Sequence, residues 1–366
     1  MFIWQRSNWP NFEWDDSRLL AALSDTRLKQ GRLLGRMAML GFDLQQQANL
    51  AVLTEDAITS SEIEGEMLPR NSVRSSLARR LGLPDAAASE LDRRAEGVVD
   101  MLLDATQNFT RPLTRERLFG WQAALFPTGY SGVTKIAVGR WRDDADGPMQ
   151  VVSGPAGRPK VHFEAVPAES VDAEMARFFD WFNQKPPLEG LLRAGLAHLW
   201  FVTIHPFDDG NGRIARAIAD LALAQSEGEG LRFYSLSAQI RRQRAGYYDV
   251  LERTQRGTLD VTAWLLWFLE CLGRAIDGAD TLVAQVLDKA RFWQTHADKP
   301  FNERQRLVLN RVLDGFEGKL TAKKWSVLAK VSLATAQRDI NDLVERTVLA
   351  RGVGGSKNTH YEILCG

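Results

Sequence analysis

Cysteine is nearly absent: Cys271 lies in an apolar stretch and Cys365 sits beside the end of the 366 residues. So few thiols exclude a disulfide framework or a cysteine metal site, and the usage fits a reducing compartment. No sign of charge dominates either. Lys plus Arg and Asp plus Glu are 46 each, so net charge gives no global pull toward nucleic acid or membrane. Long apolar runs are missing, the longest being Trp264 to Leu269, against the roughly 20 residues that a membrane-spanning helix needs. Met1 to Pro10 carry tryptophans and polar residues in place of a basic segment followed by an apolar run, so no secretory signal is expected. The expected protein is soluble and cytoplasmic, long enough for two or three domains with a real core.

What is present concentrates between residues 205 and 216: His205-Pro206-Phe207-Asp208-Asp209-Gly210-Asn211-Gly212-Arg213-Ile214-Ala215-Arg216. Before it, Leu188 to Ile204 has the apolar spacing of a helix, and Ile214 to Gln225 after it reads as another. Pro206 breaks the helix, and Gly210 and Gly212 allow turns that other residues resist. The prediction is helix, tight polar loop, helix. The first N–H groups of a helix lack internal partners, and its dipole attracts anions. Gly210, Asn211 and Gly212 therefore fall where bare N–H groups can cradle a phosphate. Arg213 and Arg216, three apart on one face, can grip further phosphate oxygens. Asp209 offers the hard oxygen that Mg²⁺ shares with phosphates, and His205 can take a proton from a hydroxyl. Alone, a His before Pro ends a helix and Asp-Gly-Asn-Gly makes a turn. Neither needs arginines at 213 and 216, and the whole string describes phosphoryl or nucleotidyl transfer.

The string also resembles, at every fixed position, the Fic-domain signature His-Pro-Phe-x-(Asp/Glu)-Gly-Asn-Gly-Arg-x-x-Arg. That resemblance implies a helical Fic core transferring AMP from ATP to a Ser, Thr or Tyr hydroxyl of a protein. His205 is then the base and Asp209 the Mg²⁺ ligand. Phe207, Asp209, Gly210, Asn211, Gly212, Arg213 and Arg216 form the nucleotide site, with Gly210 to Gly212 as the α-phosphate anion hole.

The rest of the chain reads as mainly α. Trp4, Trp9, Phe12 and Trp14 make an arm whose aromatics anchor it to the core. Asp15 or Asp16 caps a helix running through Leu40, with Gly41 as its stop. A second helix spans about Gln46 to Glu64. Its acidic last turn, Ser60-Ser61-Glu62-Ile63-Glu64-Gly65, opposes the helix dipole. This turn resembles the family's inhibitory motif, (Ser/Thr)-x-x-x-Glu-(Gly/Asn), through Ser60, Glu64 and Gly65. The resemblance implies that Glu64 pairs with Arg216 within the same chain and takes the space of the ATP γ-phosphate. It also implies possible auto-AMPylation and reverse de-AMPylation.

A loop near Leu81 to Pro84 marks a boundary, Ser89 caps a helix to about Thr106, and Thr114 caps another to Leu125. Met149 to Val152 and Lys160 to Phe163 flank a Gly154–Pro159 turn and read as a hairpin. In the family this is a flap over the site that binds the target protein. His162 reads as a flap-surface residue and His198 as a packed, hydrogen-bonded one. Tyr247 and Tyr248 followed by Gln255 resemble the family's adenosine-contacting segment. Tyr248 matches the contacting tyrosine, and Gln255 stands where the family usually has Asn. A closing helix at Thr258 to Ala275 precedes a linker helix.

The expected domains are residues 1–84, a helical region with the inhibitory motif; 85–278, the Fic core; 279–300, the linker; and 301–366, resembling a winged helix. This last segment holds 11 Lys and Arg against 7 Asp and Glu. It reads equally as a DNA-binding unit, with Thr335, Gln337 and Arg338 placed to reach bases or phosphates, or as a docking or dimerisation module. A homodimer is implied by analogy. The alternatives are a DNA-binding regulator carrying a Fic core, and a Fic enzyme using another phosphate-containing donor.

Overall fold

The computed structural model describes residues 1–83, 92–145, 147–153, 160–184, 187–314, 318–352 and 359–364. Helix dominates, as the periodicity predicts. The centre is an antiparallel pair, α7 (Gly190–Ile204) and α8 (Asn211–Glu227). From Leu191 to Ile204 every residue of α7 is buried. Each large apolar side chain sealed in this way contributes about 1.5–3 kcal/mol. Glu189 caps α7, its Oε2 accepting from the Leu191 and Leu192 N–H groups at 2.7 and 3.1 Å. Gly228, at φ +72°, ends α8 with a left-handed residue.

Around this pair stand α4 (Arg93–Gln107) and α5 (Arg115–Leu125), which pack on α8, and α6 (Ala168–Asn183), which packs on α7. Next to them α2 (Phe42–Ile63) meets α3 (Arg70–Arg80), α4 and α9 (Leu236–Arg242). Asp15 caps α1 (Asp16–Ala38) and Thr114 caps α5, as expected. The aromatic arm is pinned to the core: the Trp9 ring meets Trp200 edge-on at 6.2 Å, and Trp4 Nε1 donates to Glu164 O at 2.7 Å. The predicted hairpin is present as β3 (Gln150–Ser153) paired antiparallel with β4 (Lys160–Glu164). Its expected turn lies outside the described residues. A smaller pair, β1 (Tyr130–Ser131) with β2 (Thr134–Lys135), was not legible in so short a run.

Several boundaries differ from expectation, each for a physical reason. Helix α2 starts at Phe42, before Gln46, because Gly41 both follows α1 and caps α2. The Gln45 amide ties this corner to Met37 O and Leu40 O at 3.1 and 2.9 Å. Ser89 lies outside the described residues, and the cap of α4 is Asp92. Helices α3 and α9 were not predicted: α3 is arginine-rich, and α9 has only 7 residues. The closing and linker helices are one, α11 (Thr262–Thr295, 34 residues). Gly278 inside it costs only about 1 kcal/mol, too little to break a helix of good formers. Helix α10 (Arg244–Gln255) carries the tyrosine pair.

The chain forms two compact units, Met1–Ala279 and Asp280–Gly366. In the first, the amino-terminal helices share one core with α7 and α8, and the expected divide at 84 falls on residues outside the description. The second contains α12 (Glu303–Leu313), α13 (Ala322–Leu328), α14 (Leu333–Glu345) and the hairpin β5 (Leu349–Arg351) with β6 (Tyr361–Ile363). Trp325, Val308, Leu309, Ile340 and Leu343 are fully buried in its core. No helix among the described residues is long and apolar enough to cross a membrane.

The α4–α5 crossing depends on one missing side chain. A Cβ at Gly97 would overlap the Ala124 carbonyl of α5. Gly97→Ala is therefore expected to lower stability by about 1–3 kcal/mol through overpacking, although Ala is the better helix former. Urea unfolding of the two proteins measures it.

Candidate active site

The link between α7 and α8 is shaped by Pro206. The residue before a proline is pushed out of the right-handed helix, and His205 ends α7 in the left-handed region at φ 54°. Its N–H still closes the helix on Phe201 O at 3.0 Å. The half-buried ring then turns so that Nδ1 donates to Val202 O at 3.2 Å. A carbonyl can only accept, so the neutral imidazole keeps its proton on Nδ1 and leaves the Nε2 lone pair bare. Burial lowers the His205 pKa to about 4; the Val202 carbonyl opposes this, Arg142 adds to it, and Glu64 and Asp209 oppose it. The ring is thus a proton acceptor at neutral pH.

The loop is braced from inside. Phe207 is fully buried, its ring 5.1 Å from that of Trp141. The signature places Phe207 in the nucleotide site, and here its ring anchors the loop in the core. Asn211 is a brace too: its Oδ1 accepts from Phe207 N at 3.0 Å and its Nδ2 donates to Phe207 O at 2.7 Å. The Gly210 N–H is also taken, donating to Asp209 Oδ1 at 2.6 Å. The expected anion hole includes the start of α8 at Asn211 and Gly212, where N–H groups lack intrahelical partners. Gly210 itself sits at φ +89°, where a side chain would be strained and would press on the Phe126 ring.

Asp209 lines a cavity of ≈ 760 Å³ together with Glu64, Glu66, Phe126, Ser131 and Arg213. Its Oδ2 accepts from the Ser131 hydroxyl. Among the described residues no group of three or more His, Cys, Asp or Glu side chains could hold a metal. The Asp209 carboxylate on this cavity fits Mg²⁺, which binds through one or two carboxylates plus substrate phosphates.

Arg216 is buried and held by the end of α2. Its Nε donates to Ser60 Oγ at 2.9 Å, and Nη2 donates to Ser60 O at 2.8 Å and Glu64 Oε1 at 2.7 Å. Burial opposes the Arg216 charge, and Glu64 with Tyr247 and Tyr248 outweighs it, so its pKa is raised. The close approach of Glu64 requires Gly212, since a Cβ there would overlap Glu64 Oε1. Arg213 stacks over Phe126 at 4.9 Å and pairs with Glu66 at 2.5 Å.

Tyr248 is partly exposed, with Arg244 over its ring at 5.2 Å. Gln255 is buried, its amide donating to Thr203 Oγ1 at 3.2 Å. His198 is fully buried, stacked on Trp264, with Nε2 2.8 Å from the Tyr247 hydroxyl. His162 lies between Ser153 and Glu252, 2.6 Å from each. In the second unit Gln337 donates to Tyr361 OH at 3.1 Å, Thr335 accepts from Arg338, and Arg338 is exposed.

Four residues of the site had no usable sequence signal. Arg142 is buried in a glycine-punctuated loop, and its Nε donates to His205 O at 2.8 Å. It also meets Asp144 and Val166 O. Asp208 accepts from Ala137 N at 2.7 Å. Ser131 and Glu66 complete the set, each reaching the site from another element.

Comparison with known proteins supports the assignment. Residues 112–223 match the Fic/DOC family model. This segment is a Fic domain. Residues 2–83 match a model described only as a domain of unknown function, DUF4172. A "Protein adenylyltransferase Fic" from Nematostella vectensis is 32% identical over 111 residues, 30% of this chain and 24% of that protein. "Protein adenylyltransferase fic-1" from Caenorhabditis elegans is 38% identical over 66 residues, 18% of this chain and 13% of that protein. The chain thus spans a quarter or less of these relatives' length. A Fic family protein from Desulfovibrio desulfuricans G20 has a similar structure, with TM-score 0.52 and 19% identity over 95% of this chain and 96% of that one. A Fic-domain signaling protein from Bacteroides thetaiotaomicron VPI-5482 gives TM-score 0.51 and 21% identity, covering 73% and 97%. The fold around the Fic domain is shared with these proteins.

His198, in the helix before this loop, carries a pH consequence. Burial lowers His198 to about 3, with Arg216 adding to the effect. In the unfolded chain a histidine takes its proton near pH 6.5. The unfolded state therefore binds more protons below that pH, and stability falls as the pH drops. For His198 the loss between pH 7 and 5 is about 2 kcal/mol. Urea unfolding at these two pH values is expected to show a loss smaller by that amount in His198→Gln.

Proposed function

We propose that this Fic domain transfers AMP from ATP to a Ser, Thr or Tyr hydroxyl of a protein, and that Glu64 holds it inactive. The observation that carries this reading is the pairing of Glu64 with Arg216 beside a histidine whose Nε2 is bare. In the reaction, His205 Nε2 takes the proton of the acceptor hydroxyl as its oxygen attacks the α-phosphorus. A new P–O bond forms, the bond to the β-phosphate breaks, and pyrophosphate leaves. The N-terminus of α8 faces the charge that grows on the α-phosphate. Arg213 and Arg216 hold the outer phosphates. Mg²⁺, held by Asp209 and the phosphates, would neutralise the leaving pyrophosphate. Tyr248 and Gln255 belong to α10 and stand in this reading as the adenosine side, Tyr248 with its ring and Gln255 through Thr203.

In the hairpin β3–β4, carbonyls of β4 already accept from Arg256 and Trp4, so an extended target segment would add as a further strand along β3. The acceptor hydroxyl is then presented to His205. Modification of the chain by itself follows the same chemistry. The same Glu64 carboxylate, next to the site, can orient a water for removal of AMP.

Intact mass after incubation with Mg²⁺ and ATP tests the reading. Glu64→Gly is expected to gain AMP at least about tenfold faster than the wild type, the equivalent of losing one partly buried charge competitor. Adding His205→Ala is expected to lower that rate by about 10²–10⁴ through loss of the base. No AMP in any variant, with ATP bound, would instead point to another phosphate-containing donor.

A further inference from the structure

Two arginines of α8 are each met by a different carboxylate, and one of them, Arg213, lines the cavity. Glu64 takes Arg216, and Glu66 takes Arg213 at 2.5 Å. Taking Arg213 as a phosphate-binding residue, as in the reading above, we propose that Glu66 is a second inhibitory carboxylate. It yields to the donor's phosphates by passing to Arg94.

The backbone sets up this arrangement. Helix α2 ends with Gly65 in the left-handed region at φ +82°. This folds the chain back so that the Gly65 N–H donates to Glu62 O and the Glu66 N–H to Ser61 O, each at 3.0 Å. Both acids flanking the glycine thereby reach the first turns of α8, one on each arginine. Gly65 is therefore more than a helix stop.

The two carboxylates differ in what else lies near them. Glu64 meets an arginine that Ser60 also holds through its hydroxyl and its carbonyl. Glu66 has a second cation within reach: its Oε1 is 3.9 Å from Arg94 Nη1. Arg94 is half exposed, sits in the first turn of α4, and is braced by Asp92 at 3.0 Å. Glu66, Arg93, Arg94, Asp209 and Arg213 line the same cavity. Arg213 is buried over the Phe126 ring and fixed in place. Entry of a polyphosphate therefore moves the Glu66 side chain, not the arginine, and a short swing carries its carboxylate to Arg94. Charge stays paired throughout: phosphate on Arg213, carboxylate on Arg94. Glu66 thus acts on affinity for the phosphates, whereas Glu64 occupies the space that they need.

Calorimetric binding of Mg²⁺–ATP and of adenosine to full-length protein in the Glu64→Gly background tests this. Adding Glu66→Gln is expected to tighten ATP by about tenfold and leave adenosine unchanged. Adding Arg94→Gln instead removes the landing place and is expected to weaken ATP by about threefold. Equal ATP affinity with and without Glu66→Gln overturns the second brake and leaves the transferase reading intact. A matched change for adenosine overturns it as well, by showing general repacking. Unchanged ATP affinity in the Arg94→Gln variant overturns the hand-off. Failure of every variant to bind ATP overturns the transferase reading itself. Melting midpoints within a degree or two of the parent confirm that the substitutions leave the fold in place.

Discussion

A guanidinium buried at the start of a helix needs an anion. Arg216 has almost no contact with solvent, and the N-terminus of α8 adds positive potential next to it. Removing a charge from water costs several kcal/mol unless a partner and hydrogen bonds compensate. Ser60 supplies neutral acceptors and Glu64 supplies the charge. The fold thus contains a position where an anion is required, and the Glu64 carboxylate fills it.

The same constraint explains the acidic end of α2, which by itself is a poor helix terminus. Arginines from three later helices surround it. Arg216 and Arg213 come from α8, Arg241 of α9 pairs with Glu62, and Arg244 of α10 donates to Ile63 O at 3.2 Å. Local propensity is violated because tertiary partners repay it, as expected where a segment serves a site. Further along α2, Asp56 meets Ser235 and so ties the helix to the segment before α9. The turn that carries the two glutamates is therefore fixed by elements well separated in sequence.

The loop from His205 to Arg216 was legible because its chemistry is local. Proline ends one helix, glycines make the turn, and arginines three apart share a face. The pairing of Glu64 with Arg216 was legible as well, but only through resemblance to a motif, since the two lie 152 residues apart. Arg142, Asp208, Ser131 and Glu66 were not, because each acts through a backbone atom or a charge on a distant element. Phe207 and Asn211, inside the same signature, also brace the loop, the first by its buried ring and the second by its two bonds to the Phe207 backbone. The helices were mostly legible, and the misses have one cause. Where polar or arginine-rich segments such as α3 become helical through packing, no apolar stripe announces them.

Gly212 has a consequence for how the proposed inhibition scales. Its missing side chain lets Glu64 lie against the first turn of α8, on the same chain and with no diffusion step. A tethered competitor acts at an effective concentration set by geometry, in the millimolar range or above for short connections. Diluting the protein does not weaken it. Under the proposed function, a soluble nucleotide would have to outcompete a local concentration that never falls, which would make the resting state a property of each molecule and not of how many are present.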